Sequence, residues 1–117
     1  MISQLLLLFM LTNNDRARAN LAPLQTYPQM AQMAGVRAKY LYDTGQWSHL
    51  GWKNSFVNLD CDYIGENLAK NYPSAISEEK ALMDSPTHRA NILKPNYTNM
   101  SIGIYKNITV ELFCEKN

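Results

Sequence analysis

Apolar positions along the chain fall into three regimes: a leucine-rich opening, a middle with helical spacings, and a closing segment that alternates. The run Leu5 to Leu11 predicts a first core helix over Ile2 to Arg18. Asn20-Leu21-Ala22-Pro23 stops it, and Asn20, which tolerates positive φ, suits a left-handed cap. Pro28 is a good first-turn residue and opens a second helix. Ala31, Ala34, Ala38 and Leu41 form one stripe beside Met30 and Met33, and the small side chains permit close packing against a neighbour. Gly45 ends that helix.

Residues Gln46 to Asp62 lack strong periodicity but carry Trp47, Trp52 and Phe56, which predicts an ordered loop held down by aromatics. A third helix is expected from about Ser77, with Glu78 and Glu79 suited to the positive end of its dipole. Ser85 and Pro86 restart the helix as N-cap and first helical residue, and Lys94-Pro95 ends it. Then the period changes. Met100, Ile102 and Ile104 alternate with Ser101, Gly103 and Tyr105, and Ile108, Val110, Leu112 and Cys114 do so after Lys106-Asn107. This predicts a β-hairpin with a tight turn. Helices followed by a hairpin give an α+β domain, with helices packed on a small antiparallel sheet, spanning residues 1–117.

Charge narrows the function. Eleven basic and ten acidic residues leave a net charge of +1, with no block of one sign. That argues against a nucleic-acid binder tracking phosphates. The opening apolar run has no basic residue before it, and Asp15, Arg16 and Arg18 follow where a leader's cleavage region would be neutral. It reads as a core helix, too short to be a transmembrane segment. Cys61 and Cys114 lie too far apart for a zinc knuckle. Cys114 is either a plain core residue or one end of a bridge, and a bridge would imply an oxidising compartment.

Three places carry candidate chemistry: His49 in Ser48-His49-Leu50-Gly51, Glu66 and Asn67 in Gly65-Glu66-Asn67-Leu68-Ala69, and His88 in the stretch Ser85 to Leu93. Two neutral imidazoles and one carboxylate are a sound ligand set for a divalent ion, and equally an acid and base for hydrolysis. The plainer reading makes His49 a surface residue, Glu66 a solvated loop acid, and His88 a structural histidine kept neutral by the helix N-terminus. No serine or cysteine nucleophile with a matched base is visible.

These fragments, in this order, resemble the CAP superfamily (the cysteine-rich secretory, antigen 5 and pathogenesis-related group), in its bacterial SCP-like branch. Leu11 to Arg16 and Asn20 to Leu24 resemble the family's opening motif, Ser48 to Gly51 its histidine turn, and Gly65 to Ala69 its GEN motif. Ser85 to Leu93 resembles its second histidine motif, and Ile102 to Tyr105 its closing strand. The resemblance implies an α-β-α sandwich with a central cleft. It implies His49, Glu66 and His88 as any catalytic groups, and His49 and His88 as ligands of zinc or another divalent metal. Asn67, Ser85, Arg89 and Asn91 would be supports. The family's usual fourth position, an acid before the second histidine, has no good counterpart: Asp84 is out of register, and Leu82 replaces a tryptophan. The implied location is extracellular or envelope-associated. The implied role is a binding module for an unidentified ligand or partner protein. A hydrolase of peptide or cell-wall material and an assembly component of a surface or virion are the alternatives.

Overall fold

The computed structural model describes residues 2–117. In chain order it contains α1 (Gln4–Arg18), α2 (Pro28–Thr44), a 3-10 turn (Trp52–Phe56), β1 (Cys61–Lys70), α3 (Ala75–Asp84), α4 (Pro86–Ile92), β2 (Asn99–Tyr105) and β3 (Ile108–Lys116). Caps set the boundaries. Ser3 accepts from the Leu6 amide, so α1 starts at Gln4 rather than Ile2. Asn20 (φ 61°) and Gly45 (φ 69°) adopt the expected left-handed conformation. Ser74, not a residue nearer Ser77, caps α3 by accepting from the Ser77 amide. The helix therefore begins earlier than its pattern suggests. Glu78 and Glu79 are turned inward and buried, rather than presented at a solvated helix end.

The sheet is antiparallel, in the order β1-β3-β2. The hairpin forms as expected, with Lys106 (φ 54°) in its turn. The strand that the hydrophobic pattern does not predict is β1, which pairs with β3 through Gly65↔Phe113, Glu66↔Leu112 and Asn67↔Glu111. Its alternation is masked because Glu66 and Asn67, adjacent in sequence and on opposite faces, are both buried.

Helices cover both faces. Leu68, Val110, Leu112 and Cys114 pack with Met30, Ala34, Ala38 and Leu41 of α2. Ala69, Phe113, Met100 and Ile102 pack with Leu8 of α1, Leu82 of α3 and Ile92 of α4. The result is an α-β-α sandwich. Helix α2 lies so close to β2 that a Cβ on Gly103 would sit 2.2 Å from the Ala34 carbonyl carbon. The small-residue stripe of α2 is what permits this approach.

Only one stripe of the leucine-rich α1 is fully buried: Leu8, Thr12 and Arg16, while Leu5, Leu6 and Met10 are exposed. A run apolar on every side has no unique inward face, so packing selects one. Arg16 uses its N–H groups on the carbonyls of Ala22 (2.9 Å), Ile92 (2.8 Å) and Lys94 (3.0 Å). Asn13 exchanges two hydrogen bonds with the Leu24 backbone. Cys61 and Cys114 form a disulfide joining the start of β1 to β3. Closing a loop of that length stabilises the fold by about 4 kcal/mol in the chain-entropy account. Among the described residues no helix is long and apolar enough to cross a membrane.

Candidate functional site

Strand β1 forms one edge of the sheet, and the two histidines meet across that edge. His49 arrives on the loop after α2, and His88 arrives in the first turn of α4, which packs on the opposite face. Together with Trp52, Glu66, Asn67, Thr87 and Asn91 they line an open cleft of about 390 Å3.

On the α2 side the support is ionic. Glu66 is buried and receives the Arg37 guanidinium on both oxygens, at 2.5 Å from Nε and 3.2 Å from Nη2. Glu66 Oε1 also lies 2.8 Å from His49 Nδ1. A carboxylate only accepts, so the Nδ1 proton belongs to His49, and Nε2 is left for other partners. Arg37 also donates to the carbonyls of Ser48 (3.2 Å) and Leu50 (3.4 Å), which pins the loop on either side of the imidazole. His49 itself is 55% exposed and Glu66 only 1%. Glu66 is thus an orienting group with both oxygens engaged, not an acid open to the cleft.

On the α4 side the support is neutral. His88 Nδ1 is 2.8 Å from Ser85 Oγ, which again leaves Nε2 free. Asn91 donates to the Glu66 carbonyl and to Asn67 Oδ1, while Asn67 donates to the His88 carbonyl. These bonds lock α4 against β1. Gly65 is required here, because a Cβ would lie 2.3 Å from the Tyr97 hydroxyl. Arg89 turns outward and donates to the Met83 carbonyl at 3.0 Å, tying α4 to the end of α3. Burial first, and the neighbouring His49 second, hold the His88 imidazole below its ordinary pKa.

All three expected groups, His49, Glu66 and His88, thus come to one place, with Asn67, Ser85 and Asn91 bonded around them. Asp84 is exposed and pairs with Lys80 at 3.0 Å, and Leu82 is buried in the core, so neither supplies a fourth cleft residue. Among the described residues no three His, Cys, Asp or Glu side chains converge on one metal position. Sequence reasoning missed Arg37. The signal was present: it lies on the buried stripe of α2 among alanines and methionines, where an unpaired charge is untenable.

Comparison with known proteins gives concordant results. The family described as CAP, cysteine-rich secretory protein family, matches residues 9–111. The Bacillus subtilis protein YkwD is 31% identical over 101 residues, covering 80% of this chain and 39% of YkwD. The chain therefore spans about two-fifths of that relative. The crystal structure of an extracellular protein containing an SCP domain from Bacillus anthracis superposes with a TM-score of 0.89 at 27% identity, over 97% of this chain and 40% of that one. An outer surface protein of Borrelia burgdorferi superposes with a TM-score of 0.87 at 18% identity, over 95% of this chain and 91% of that one. At that identity the second likeness speaks for the fold alone.

Proposed function

The chain belongs to the CAP, cysteine-rich secretory protein family, and we propose that it is an extracellular or envelope-associated binding module whose cleft holds a divalent metal between His49 and His88. The observation that carries this reading is the shared cleft, in which each imidazole has Nδ1 engaged and Nε2 free. A carboxylate or hydroxyl on Nδ1 orients the ring, and at His49 the acceptor-only carboxylate also fixes the tautomer, as carboxylates do behind metal-bound histidines. The lowered pKa of His88 keeps that ring in the neutral, ligating form at pH 7. Two imidazoles suit zinc or a similar borderline ion, and leave coordination positions for water or for donor atoms of a bound ligand.

The location is argued from two sides. One structural neighbour, at 27% identity, is an extracellular protein. The Cys61–Cys114 disulfide suits an oxidising compartment. A hydrolytic role finds less support, because Glu66 has both oxygens occupied and is not free to act as a base.

Calorimetric titration of Zn2+ into wild type and a His49→Ala/His88→Ala variant tests the proposal. Binding is expected in the wild type, stronger at about pH 7.5 than at about pH 5.5 because protons compete with the metal for its ligands, and absent in the variant. Equal heats in the two proteins would overturn it.

A further inference from the structure

Behind the cleft, on the face opposite Arg37, three glutamates are buried together: Glu78 and Glu79 of α3, and Glu111 of the central strand β3. None has a cation. Among the described residues no salt bridge involves them. The groups that face them can be followed element by element. From α1 come Asp15, which lies against Glu79 and is itself paired with the exposed Arg18 at 3.5 Å, and two neutral donors: Thr12 to Glu79 Oε1 at 2.9 Å and Gln4 to Glu78 Oε1 at 3.4 Å. From β3 comes the Thr109 hydroxyl, which lies against Glu78. From β1 comes the Asn67 amide, 3.1 Å from Glu111 Oε1. Strand β2 contains no charged residue. Helix α4 enters only through the His88 carbonyl that the same Asn67 amide binds. The buried cation of α1, Arg16, is spent on backbone carbonyls, and Lys80 of α3 is in solvent with Asp84.

As carboxylates these groups do not balance. Glu79 Oε2 and Glu111 Oε2 are buried and have no hydrogen-bond donor. Protonation removes the charge and lets the Glu79 carboxyl donate to the adjacent Asp15. We propose that Glu78, Glu79 and Glu111 form a proton-loaded latch that holds α1 and α3 on the sheet. Losing its protons loosens that layer and, through Glu111, Asn67 and the His88 carbonyl, the helix that carries His88.

The electrostatics agree in direction. Burial, then the adjacent Asp15, then the charge of Glu111 push Glu79 up to about 9. Burial and the charge of Glu78 push Glu111 up to about 8, against the Asn67 hydrogen bond. Burial also raises Glu78. A carboxyl raised in the folded state favours folding fully below its ordinary value near 4.5, and this contribution is lost as pH rises to about 8 for Glu111 and about 9 for Glu79. The latch is therefore tight in acid and weak in mild alkali, whether or not the cleft binds metal.

Carboxyl-carbon NMR on wild-type protein labelled in its five glutamates reads the latch directly. At least two resonances are expected to titrate above about pH 7, and all five titrating below about pH 6 would overturn the proposal. Thermal unfolding from about pH 5 to about pH 9 should show a fall in wild-type Tm of about 5 °C or more, with earlier exchange of α3 and α4 amides at the alkaline end. In Glu79→Gln and Glu111→Gln the fall should flatten. A wild-type Tm indifferent to pH, or an undiminished fall in both variants, would contradict the latch. Should either variant fail to fold, the wild-type titration decides alone.

Discussion

The two faces of the sheet bury the same kinds of residue and solve the resulting problem in opposite ways. Toward α2, one acid and one base are buried as a pair: Arg37 satisfies both oxygens of Glu66, and the remaining interaction of that carboxylate goes to His49. Toward α1, α3 and α4, acid and base are buried apart: Arg16 is satisfied by carbonyls, while Glu78, Glu79 and Glu111 face neutral donors, one another and Asp15. The first face balances its buried acid with an opposite charge, whereas on the second the proposed latch keeps its carboxyls uncharged by bound protons. Each face then presents one histidine to the common cleft. His49 has a charged orienting partner and stands exposed, whereas His88 has a hydroxyl and is half-buried.

The contrast is broken most severely at Arg37. Arg37→Met strands Glu66 in the interior and frees the Ser48–Leu50 carbonyls, so denaturant unfolding should show a loss of about 3–5 kcal/mol. Replacing both partners, Arg37→Met with Glu66→Leu, should recover most of that loss while leaving His49 unoriented, because a buried pair contributes little net stability beyond an apolar one. Recovery of stability without recovery of zinc binding would separate the structural task of the pair from its orienting task. Next in size is Gly103→Ala, where the new methyl would meet the backbone of α2. A loss of about 3 kcal/mol is expected, because backbone, unlike the end of a flexible side chain, has little room to give way. A comparable cost from Gly35→Ala, whose added methyl would meet nothing within 4 Å, would show that the close approach is not the cause. Smallest is Ser85→Ala on the α4 side. It removes a single neutral hydrogen bond and should cost about 1 kcal/mol or less in stability. Zinc affinity should nevertheless fall by about 10-fold, because the hydroxyl fixes the ring that ligates.

Much of the fold was legible because local rules and tertiary packing agree in it. The left-handed Asn20 and Gly45, the Pro28 start and the Ser85-Pro86 restart follow from backbone sterics that act within a few residues, and the turn at Lys106 follows from the break in apolar alternation. Misreadings occurred where packing overrides pattern. Strand β1 was hidden because a sheet covered on both faces buries Glu66 and Asn67 alike, so no alternation survives. Helix α1 looked uniformly internal because leucines do not reveal which stripe is chosen. Glu78 and Glu79 fit a helix N-terminus so well that their burial could not be read from position alone. In the site, the histidines and their immediate supports were readable as motifs. The Arg37 clamp was not, since it joins residues 29 positions apart across α2 and the sheet edge.

The central claim is that the two faces deliver two imidazoles to one cleft with Nδ1 engaged and Nε2 open. Long-range 1H–15N NMR of the imidazole nitrogens during zinc titration tests it most directly. Zinc should shift the Nε2 resonances of His49 and His88 together and with the same stoichiometry, while both Nδ1 nitrogens keep their protons. A shift confined to one ring, or appearing at Nδ1 instead, would contradict the account.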